Sequence, residues 1–199
     1  MNDPAGTPPR AEPPWLLAAL QPRRPATDAE ARALGSALRL RILRLCLDEA
    51  LTNKEIADRL GRPPASVLHH VRRLVDTGFL ASMPVRRGTR GAREVPYRAT
   101  GKSWFVHVAD AKLRNPAPEA AAMLDAFLAE LAEAGGAAAI DDMTRLGLRL
   151  REPDREELSR RLQEVFDDFA GRVPDPAGEP WSLFFALHRD ARGRRRRPI

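Results

Sequence analysis

The side chains best suited to bind another molecule are concentrated in residues 62–73, RPPASVLHHVRR. Hydroxyl, imidazole and guanidinium groups can form hydrogen bonds with base edges, and guanidinium groups also bind phosphate. Val67, Val71, Leu74 and Val75 are spaced at four, three and one residues, so a helix would bury them on one face and leave the polar groups on the other. The candidate nucleic-acid contacts in this stretch are Arg62, Ala65, Ser66, Leu68, His69, His70, Arg72 and Arg73.

The chemistry of these side chains indicates different roles on a duplex. Ser66 and His69 can donate to or accept from base edges, and Arg73 can bind guanine or a phosphate. Ala65 and Leu68 offer apolar contact to a thymine methyl group. Base recognition is therefore expected from the helix as a whole, with its polar face in a groove.

The residues before this helix predict a second, shorter one. Thr52 is a good N-cap, and Glu55 three residues later can complete a capping box. Ile56, Ala57 and Leu60 then form an apolar stripe that ends at glycine, and the next helix opens on two prolines, which its first turn tolerates. Two helices joined by a tight turn, the second one polar and basic, form a helix-turn-helix.

An arginine-rich hairpin is expected directly after the second helix. Leu80 to Val85 and Glu94 to Ala99 can form two strands, and RRGTRGAR lies between them. Its glycines, Gly88 and Gly91, let the tip turn, and its arginines can bind phosphate or enter a minor groove. The phosphate candidates in the hairpin are Arg86, Arg87, Arg90 and Arg93, in addition to Arg62 and Arg72 at the turn and the helix flank.

Residues 34–99 resemble the arsenic-repressor-like (ArsR-type) winged-helix transcription regulators. The matching pieces are Leu38-Arg39-Leu40-Arg41-Ile42-Leu43, Glu55-Ile56-Ala57, His70-Val71 with Leu74, and Gly78-Phe79-Leu80. The resemblance implies a winged helix, a homodimer bound to an imperfect palindrome in double-stranded DNA, and more often a repressor than an activator. His70 matches a position that is often His or Gln in that family, and its angle on the helix places it between the core and the groove. The rest of the chain resembles, less specifically, larger members with an added C-terminal domain.

A metal site of the kind known in that family is not expected. The best-known sensor of the family has two cysteines, one residue apart, where this chain has Thr52 and Lys54, which cannot bind a soft metal as thiolates do. His69 and His70 are adjacent, so on a helix they point in different directions. Neither a metal nor another cofactor is expected.

Charge supports nucleic-acid binding, and cysteine content indicates the compartment. The chain of 199 residues carries a net charge of +6 and is 43% hydrophobic. Residues 61–102 contain nine Lys or Arg against two acidic residues, a local charge of +7, as expected for a phosphate-binding surface. The single cysteine, Cys46, excludes an intramolecular disulfide and fits a reducing cytoplasm. Neither a signal peptide nor a membrane span is expected.

The expected fold is α+β and mostly α, in four segments. Residues 1–26 form a proline-rich disordered arm, 27–101 a winged helix-turn-helix domain, 102–191 a C-terminal dimerisation or effector domain, and 192–199 a basic tail. In the C-terminal domain, 119–133 is a helix, and strand 144–150, helix 153–171 and strand 181–188 form a small α/β unit. Whether this unit binds a small-molecule effector or only holds the dimer stays open.

The expected function is that of a dimeric, sequence-specific transcription regulator, a repressor, that inserts helix 64–77 in the major groove and uses wing 81–99 on the backbone or minor groove. Two alternatives stay open: a winged helix used for protein–protein contact, and a nonspecific architectural nucleic-acid binder. An enzyme is not expected, because the sequence has no phosphate-cradling glycine loop, nucleophile elbow or metal-ligand cluster.

Overall fold

The computed structural model describes residues 24–88, 91–107, 117–173, 175 and 177–189. The chain divides into two compact units, Met1–Ala126 and Phe127–Ile199. Arg90 of the wing, most of the proline-rich arm and the basic tail lie outside the described residues. No helix within the described ranges is long and apolar enough to cross a membrane.

The first unit begins with two short strands and four helices, the last two of which form the helix-turn-helix. In chain order these are β1 (Arg24–Pro25), α1 (Asp28–Leu34), α2 (Ala37–Leu45), β2 (Leu51–Thr52), α3 (Asn53–Arg59) and α4 (Pro64–Asp76). After them come β3 (Leu80–Ser82), β4 (Arg86–Arg87), β5 (Arg93–Glu94), β6 (Pro96–Ala99), α5 (Lys102–Phe105), β7 (Val106–His107) and the long helix α6 (Ala117–Glu133). The predicted mixed, mostly helical fold with a winged helix-turn-helix is confirmed.

Three small sheets complete the first unit. β6 lies between β2 and β3 in an antiparallel sheet, β4 and β5 form the antiparallel wing, and β1 pairs in parallel with β7. Arg24–Pro25 were expected in the disordered arm, but they form a strand because β7 supplies the hydrogen-bonding partner. The helix α5 is a single turn that ends at Phe105, because β7 follows it directly.

Two capping boxes, one of them the box predicted at Thr52, set where two helices begin. The Thr27 and Thr52 side chains each accept a hydrogen bond from the backbone N–H three residues later, and Glu30 and Glu55 bond back to the cap backbone. Each box satisfies backbone donors that have no partner inside the helix. The starts of α1 and α3 are therefore encoded locally.

One hydrophobic core holds the helix-turn-helix to the sheet. Val67, Val71 and Leu74 of α4 are all 0% exposed, as their spacing predicts. They pack with apolar side chains from α1, α2, α3 and the sheet, of which Phe79 is the largest fully buried one. The buried members of the cluster are Ala33, Leu34, Ile42, Leu43, Cys46, Leu51, Ile56, Ala57, Val67, Val71, Leu74, Phe79, Leu80 and Ala99.

A buried carboxylate ties together three separate parts of the first unit. The Glu30 side chain is 7% exposed and accepts hydrogen bonds from Arg24 at 2.8 and 2.7 Å, and from the Thr27 backbone N–H at 2.8 Å. Lys102 Nζ lies 2.6 Å from the same carboxylate. The hydrogen bonds from Arg24, together with those from Lys102 and Thr27, hold the pKa of Glu30 far below its usual range.

Replacing Glu30 by glutamine is expected to lower the free energy of unfolding by about 2–3 kcal/mol at pH 7, because two cations then lose their buried counter-charge. Since the folded-state pKa is lowered, the carboxylate stabilises above the ordinary pKa of 4.5 and the stabilisation is lost as the pH falls below it. Urea unfolding at neutral and acidic pH measures this, and the difference between parent and Glu30→Gln should shrink in acid. Glu152→Gln, in an exposed pair with Arg155, is the control and should show no measurable change.

The second unit differs from the predicted α/β arrangement. Its helices are the remainder of α6, a short 3-10 turn at Gly136–Ala139, and α7 (Glu152–Ala170), so helix 153–171 is confirmed to within a residue. The two flanking strands predicted at 144–150 and 181–188 are wrong for the chain as described, because neither segment forms a ladder. An alternating pattern predicts an extended, two-faced segment, but a strand also needs a neighbouring strand.

Candidate nucleic-acid interface

The turn between α3 and α4 fixes the position of the candidate recognition helix. Gly61 has φ +60°, a left-handed conformation that other residues adopt only with strain, and this lets the Arg62 N–H bond to the Ala57 carbonyl at 3.0 Å. Asn53 Nδ2 donates to the Pro64 carbonyl at 2.9 Å, which joins the first residue of α3 to the first of α4. The start of α4 is thus held by backbone and side-chain bonds.

The exposed face of α4 contains most of the predicted contacts. Ala65, Ser66, His69, Arg72 and Arg73 are exposed, and Arg62 is exposed in the turn before the helix. Given 3.6 residues per turn, His69 lies near the middle of this face, on the side of the helix opposite the buried valines and leucine. Four kinds of group, hydroxyl, imidazole, guanidinium and methyl, are therefore presented together to the solvent. Asp76, which the sequence analysis did not single out, is exposed at the far end of the helix and would repel phosphate there.

Leu68 and His70 lie at the two edges of that face and are half-buried. The Arg39 Nη1 group lies 3.4 Å from His70 Nδ1, and the same guanidinium donates to the Arg32 carbonyl at 2.7 Å and to the Ala33 carbonyl. Burial, and then the charge of Arg39, lower the pKa of His70 and so favour the neutral ring. This agrees with the expectation that His70 lies between core and groove. Arg39 caps the end of α1.

The wing is a two-stranded hairpin with exposed arginines. Arg86 pairs with Glu94 and Arg87 with Arg93 in the β4–β5 ladder. At the tip, the Gly88 N–H donates to the Ala92 carbonyl at 2.8 Å and Gly91 has φ +76°, in agreement with the expected glycine turn. Arg87 and Arg93 are exposed, as phosphate binding requires.

Arg86 differs from the other wing arginines because it joins the wing to the helix-turn-helix. Its Nη2 group donates to both Glu55 carboxylate oxygens, at 2.6 and 2.7 Å, and its Nε lies 3.4 Å from Glu94 Oε2. The hydrogen bond to Glu55 raises the pKa of Arg86. The hydrogen bond from the Thr52 backbone, and after it those from the Thr52 side chain and Arg86, lower the pKa of Glu55. Glu55 therefore has two roles, of which the capping-box spacing signals only the first.

Metal binding has little structural basis within the described ranges. They contain no group of three or more His, Cys, Asp or Glu side chains placed to hold a metal ion. Cys46 is 0% exposed, and burial raises the pKa of its thiol to about 12, so it stays protonated and unreactive at neutral pH.

The interface belongs to a region that matches a known domain family. The family described as "Helix-turn-helix domain" matches residues 34–82, which run from the end of α1 through β3. Among curated proteins, none matches the chain significantly.

Thirteen solved chains are significantly similar in structure. ZitR of Lactococcus lactis, solved in complex with DNA, is 18% identical, with a TM-score of 0.29 over 67% of this chain and 74% of that one. A Mycobacterium tuberculosis MarR family protein, Rv2887, solved with salicylic acid, is 18% identical with a TM-score of 0.28, covering 76% and 85%. The transcriptional regulator SlyA is 12% identical with a TM-score of 0.29, covering 67% and 74%. Because these TM-scores are low, neither the residue roles nor the ligands of these proteins are assigned to this chain. The match to the domain family shows that the chain contains a helix-turn-helix domain.

Proposed function

We propose that this protein is a dimeric, sequence-specific DNA-binding transcription regulator that acts as a repressor. The observation that carries the proposal is the exposed face of α4, where Ser66, His69 and Arg73 lie together on a helix whose opposite face is fully buried. A helix of this kind fits the major groove and presents its exposed side chains to base edges and phosphates there. Arg62 and Arg72 bind phosphates beside it.

The wing supports the same orientation on DNA. Arg87 and Arg93 are exposed on the hairpin that follows α4. When α4 lies in the major groove, these two arginines can bind the DNA backbone or enter the minor groove. Arg90 is assigned the same role from its place in the sequence. The residues proposed for the interface remain Arg62, Ala65, Ser66, Leu68, His69, His70, Arg72, Arg73, Arg86, Arg87, Arg90 and Arg93. Of these, Arg86 is assigned chiefly to holding the wing, and His70 to the edge of the helix face.

Within the winged-helix regulators, the ArsR-type branch is the proposed assignment. It is supported by Glu55-Ile56-Ala57 in α3, by His70-Val71 and Leu74 in α4, and by the residues Gly78-Phe79-Leu80 that lead into β3. A dimer of this kind places its two recognition helices in successive major grooves roughly 34 Å apart, on an imperfect palindrome. Binding there would block access to an overlapping promoter.

The two kinds of wing arginine are expected to differ in salt dependence. Arg87→Gln should lower the slope of log affinity against log salt by about 1 per subunit, since one phosphate contact is lost. Glu55→Gln combined with Arg86→Gln removes an internal pair without changing net charge, and should leave the slope unchanged. Binding titrations at several salt concentrations measure both variants. A reduced slope in the double variant would show that Arg86 binds phosphate directly.

The proposal is tested by competition between DNA sequences. Labelled duplex from a candidate promoter, bound by the full-length protein, is competed with unlabelled random duplex at fixed moderate salt. A regulator should prefer its site by about 10³-fold or more. Salt-sensitive binding with no preference would favour an architectural protein, and absence of binding would favour a winged helix used for protein contact.

A further inference from the structure

The second unit leaves an unusual amount of apolar surface uncovered. None of its described side chains, from Phe127 to Arg189, is fully buried. Met143 is 79% exposed, Leu146 73% and Leu183 77%. The exposed large apolar residues of this unit are Leu128, Met143, Leu146, Leu148, Leu150, Val165, Phe169, Val173, Trp181, Leu183, Phe185 and Leu187. A single copy of this unit therefore does not form a complete core.

The segment from Asp141 to Arg151 combines this surface with backbone that has no strand partner. Leu146, Leu148 and Leu150 alternate with Arg145, Gly147 and Arg149, which is the pattern of a strand with one apolar face. Yet the described structure gives residues 141–151 neither a helix nor a ladder. Backbone N–H and C=O groups that have no ladder partner among the described residues, beside exposed leucines, form an edge to which another strand can add.

The charges of the segment indicate which strand fits. Its beginning is acidic, with Asp141 and Asp142, and its end is basic, with Arg149 and Arg151. The Arg151 side chain is 89% exposed, and its Nε lies 3.5 Å from Asp154 Oδ2 on its own chain. A second copy of the same segment, running antiparallel and centred on Leu146, places Asp141 opposite Arg151 at both ends, and opposite charges across a strand pair stabilise it.

The apolar area is of the order that a contact between two copies needs. Burying one fully exposed large apolar side chain removes roughly 60–120 Å² from water; the dozen here are already partly covered, so together they supply on the order of 400–900 Å². A stable interface of ordinary size buries about 800 Å² per partner. Two-fold symmetry also means that one surface serves both subunits.

We propose that residues 141–151 pair antiparallel with the same residues of a second copy, centred on Leu146, and that this pairing forms the dimer. Leu146 then faces Leu146 of the partner subunit across the two-fold axis, and Asp141 opposes Arg151 of the partner subunit at each end. The inference rests on the proposed function only in that a palindrome requires a dimer.

A single cysteine placed on the axis tests the register directly. Residues opposite each other in an antiparallel pair have Cβ atoms about 4.5–5.5 Å apart, close enough for a disulfide after small adjustment. The full-length Leu146→Cys protein should therefore form a covalent dimer under mild oxidation. The parent protein, whose Cys46 is buried, and Arg161→Cys, on the exposed side of α7, should not. Failure of Leu146→Cys to cross-link in a solution that contains dimer would overturn the pairing.

Charge exchange tests the antiparallel direction, with the mass measured in solution without DNA. Asp141→Arg and Arg151→Asp should each weaken the dimer, and the two together should restore it. Leu146→Asp should raise the dimer dissociation constant by at least about 100-fold, because two leucines are lost per dimer. A dimer unaffected by Leu146→Asp, or a protein that is monomeric throughout, would contradict the inference. Far-UV circular dichroism checks folding, and the cysteine experiment decides the matter if Leu146→Asp unfolds.

The two proposals fail in different ways. If the protein cross-links at position 146 but shows no preference among DNA sequences, the strand pairing stands and the regulator function is contradicted. If the protein prefers particular DNA sequences but its dimer does not depend on residue 146, the regulator function stands and the strand pairing is contradicted.

Discussion

Alanine at Arg73 is expected to remove most of the preference of the protein for its operator. Arg73 is exposed on α4, and a guanidinium there can make the bidentate contact with guanine that gives the strongest base discrimination. Losing one such contact costs about 1–3 kcal/mol, and a dimer loses it twice. The ratio of specific to nonspecific affinity should therefore fall by at least about 30-fold, while binding to random duplex changes little. Competition titrations of parent and variant at one salt concentration measure this ratio.

Two further variants make the result specific to base recognition. His69→Ala should also lower the ratio, since His69 lies at the middle of the same exposed face. Arg59→Ala is the matched control, because Arg59 is on α3 and its guanidinium is paired with Glu49. If Arg73→Ala and His69→Ala both discriminate like the parent, a different face of the protein recognises the bases.

Phe79→Ala is expected to cause the largest loss of stability in the first unit. Phe79 is 1% exposed, belongs to the cluster that holds α4 against the sheet, and has Lys102 Nζ 5.1 Å from its ring centre. Truncating a buried phenylalanine costs about 3–5 kcal/mol, from lost burial and from the cavity left behind. Chemical unfolding followed by far-UV circular dichroism measures the change.

Val85→Ala is the control for the Phe79 experiment. Val85 is 49% exposed in the segment before the wing, so its truncation should change stability by about 0.5 kcal/mol or less. A Phe79→Ala variant as stable as this control would contradict the described core. A destabilised Phe79→Ala variant that still folds at low temperature should keep the sequence preference of the parent, because Phe79 itself lies away from the exposed face of α4.

The helix-turn-helix was predictable because its signals are local. Capping boxes depend on residues three positions apart, and the buried stripe of α4 depends on its own spacing, so both can be recognised without knowing the rest of the fold. The family match to residues 34–82 supports the DNA-binding function predicted from these signals. The exposed placement of Ser66, His69 and Arg73 follows from the same periodicity.

The contacts that the sequence did not predict join residues far apart in the chain. The bridge from Arg86 to Glu55 spans 31 positions, and the one from Arg39 to His70 also spans 31. An arginine in a wing has the same local pattern whether it binds a phosphate or a carboxylate. Only the folded arrangement distinguishes the two.

The error at 144–150 has a different cause. Alternating leucines and arginines correctly indicate a segment with two unlike faces, but the pattern does not identify the strand that pairs with it. The described chain supplies no such strand, and we infer that a second copy does. The prediction of an α/β unit assumed that the two apolar segments pair within one chain.

The most direct test of the DNA-binding account is selection of bound sequences from a randomised duplex pool by the full-length protein at moderate salt. The account predicts enrichment of a two-fold-symmetric motif with half-site centres about 10 base pairs apart. When Arg73→Ala replaces the parent protein, at least one base enriched in each half-site should no longer be enriched. Salt-sensitive binding that enriches no motif would contradict it.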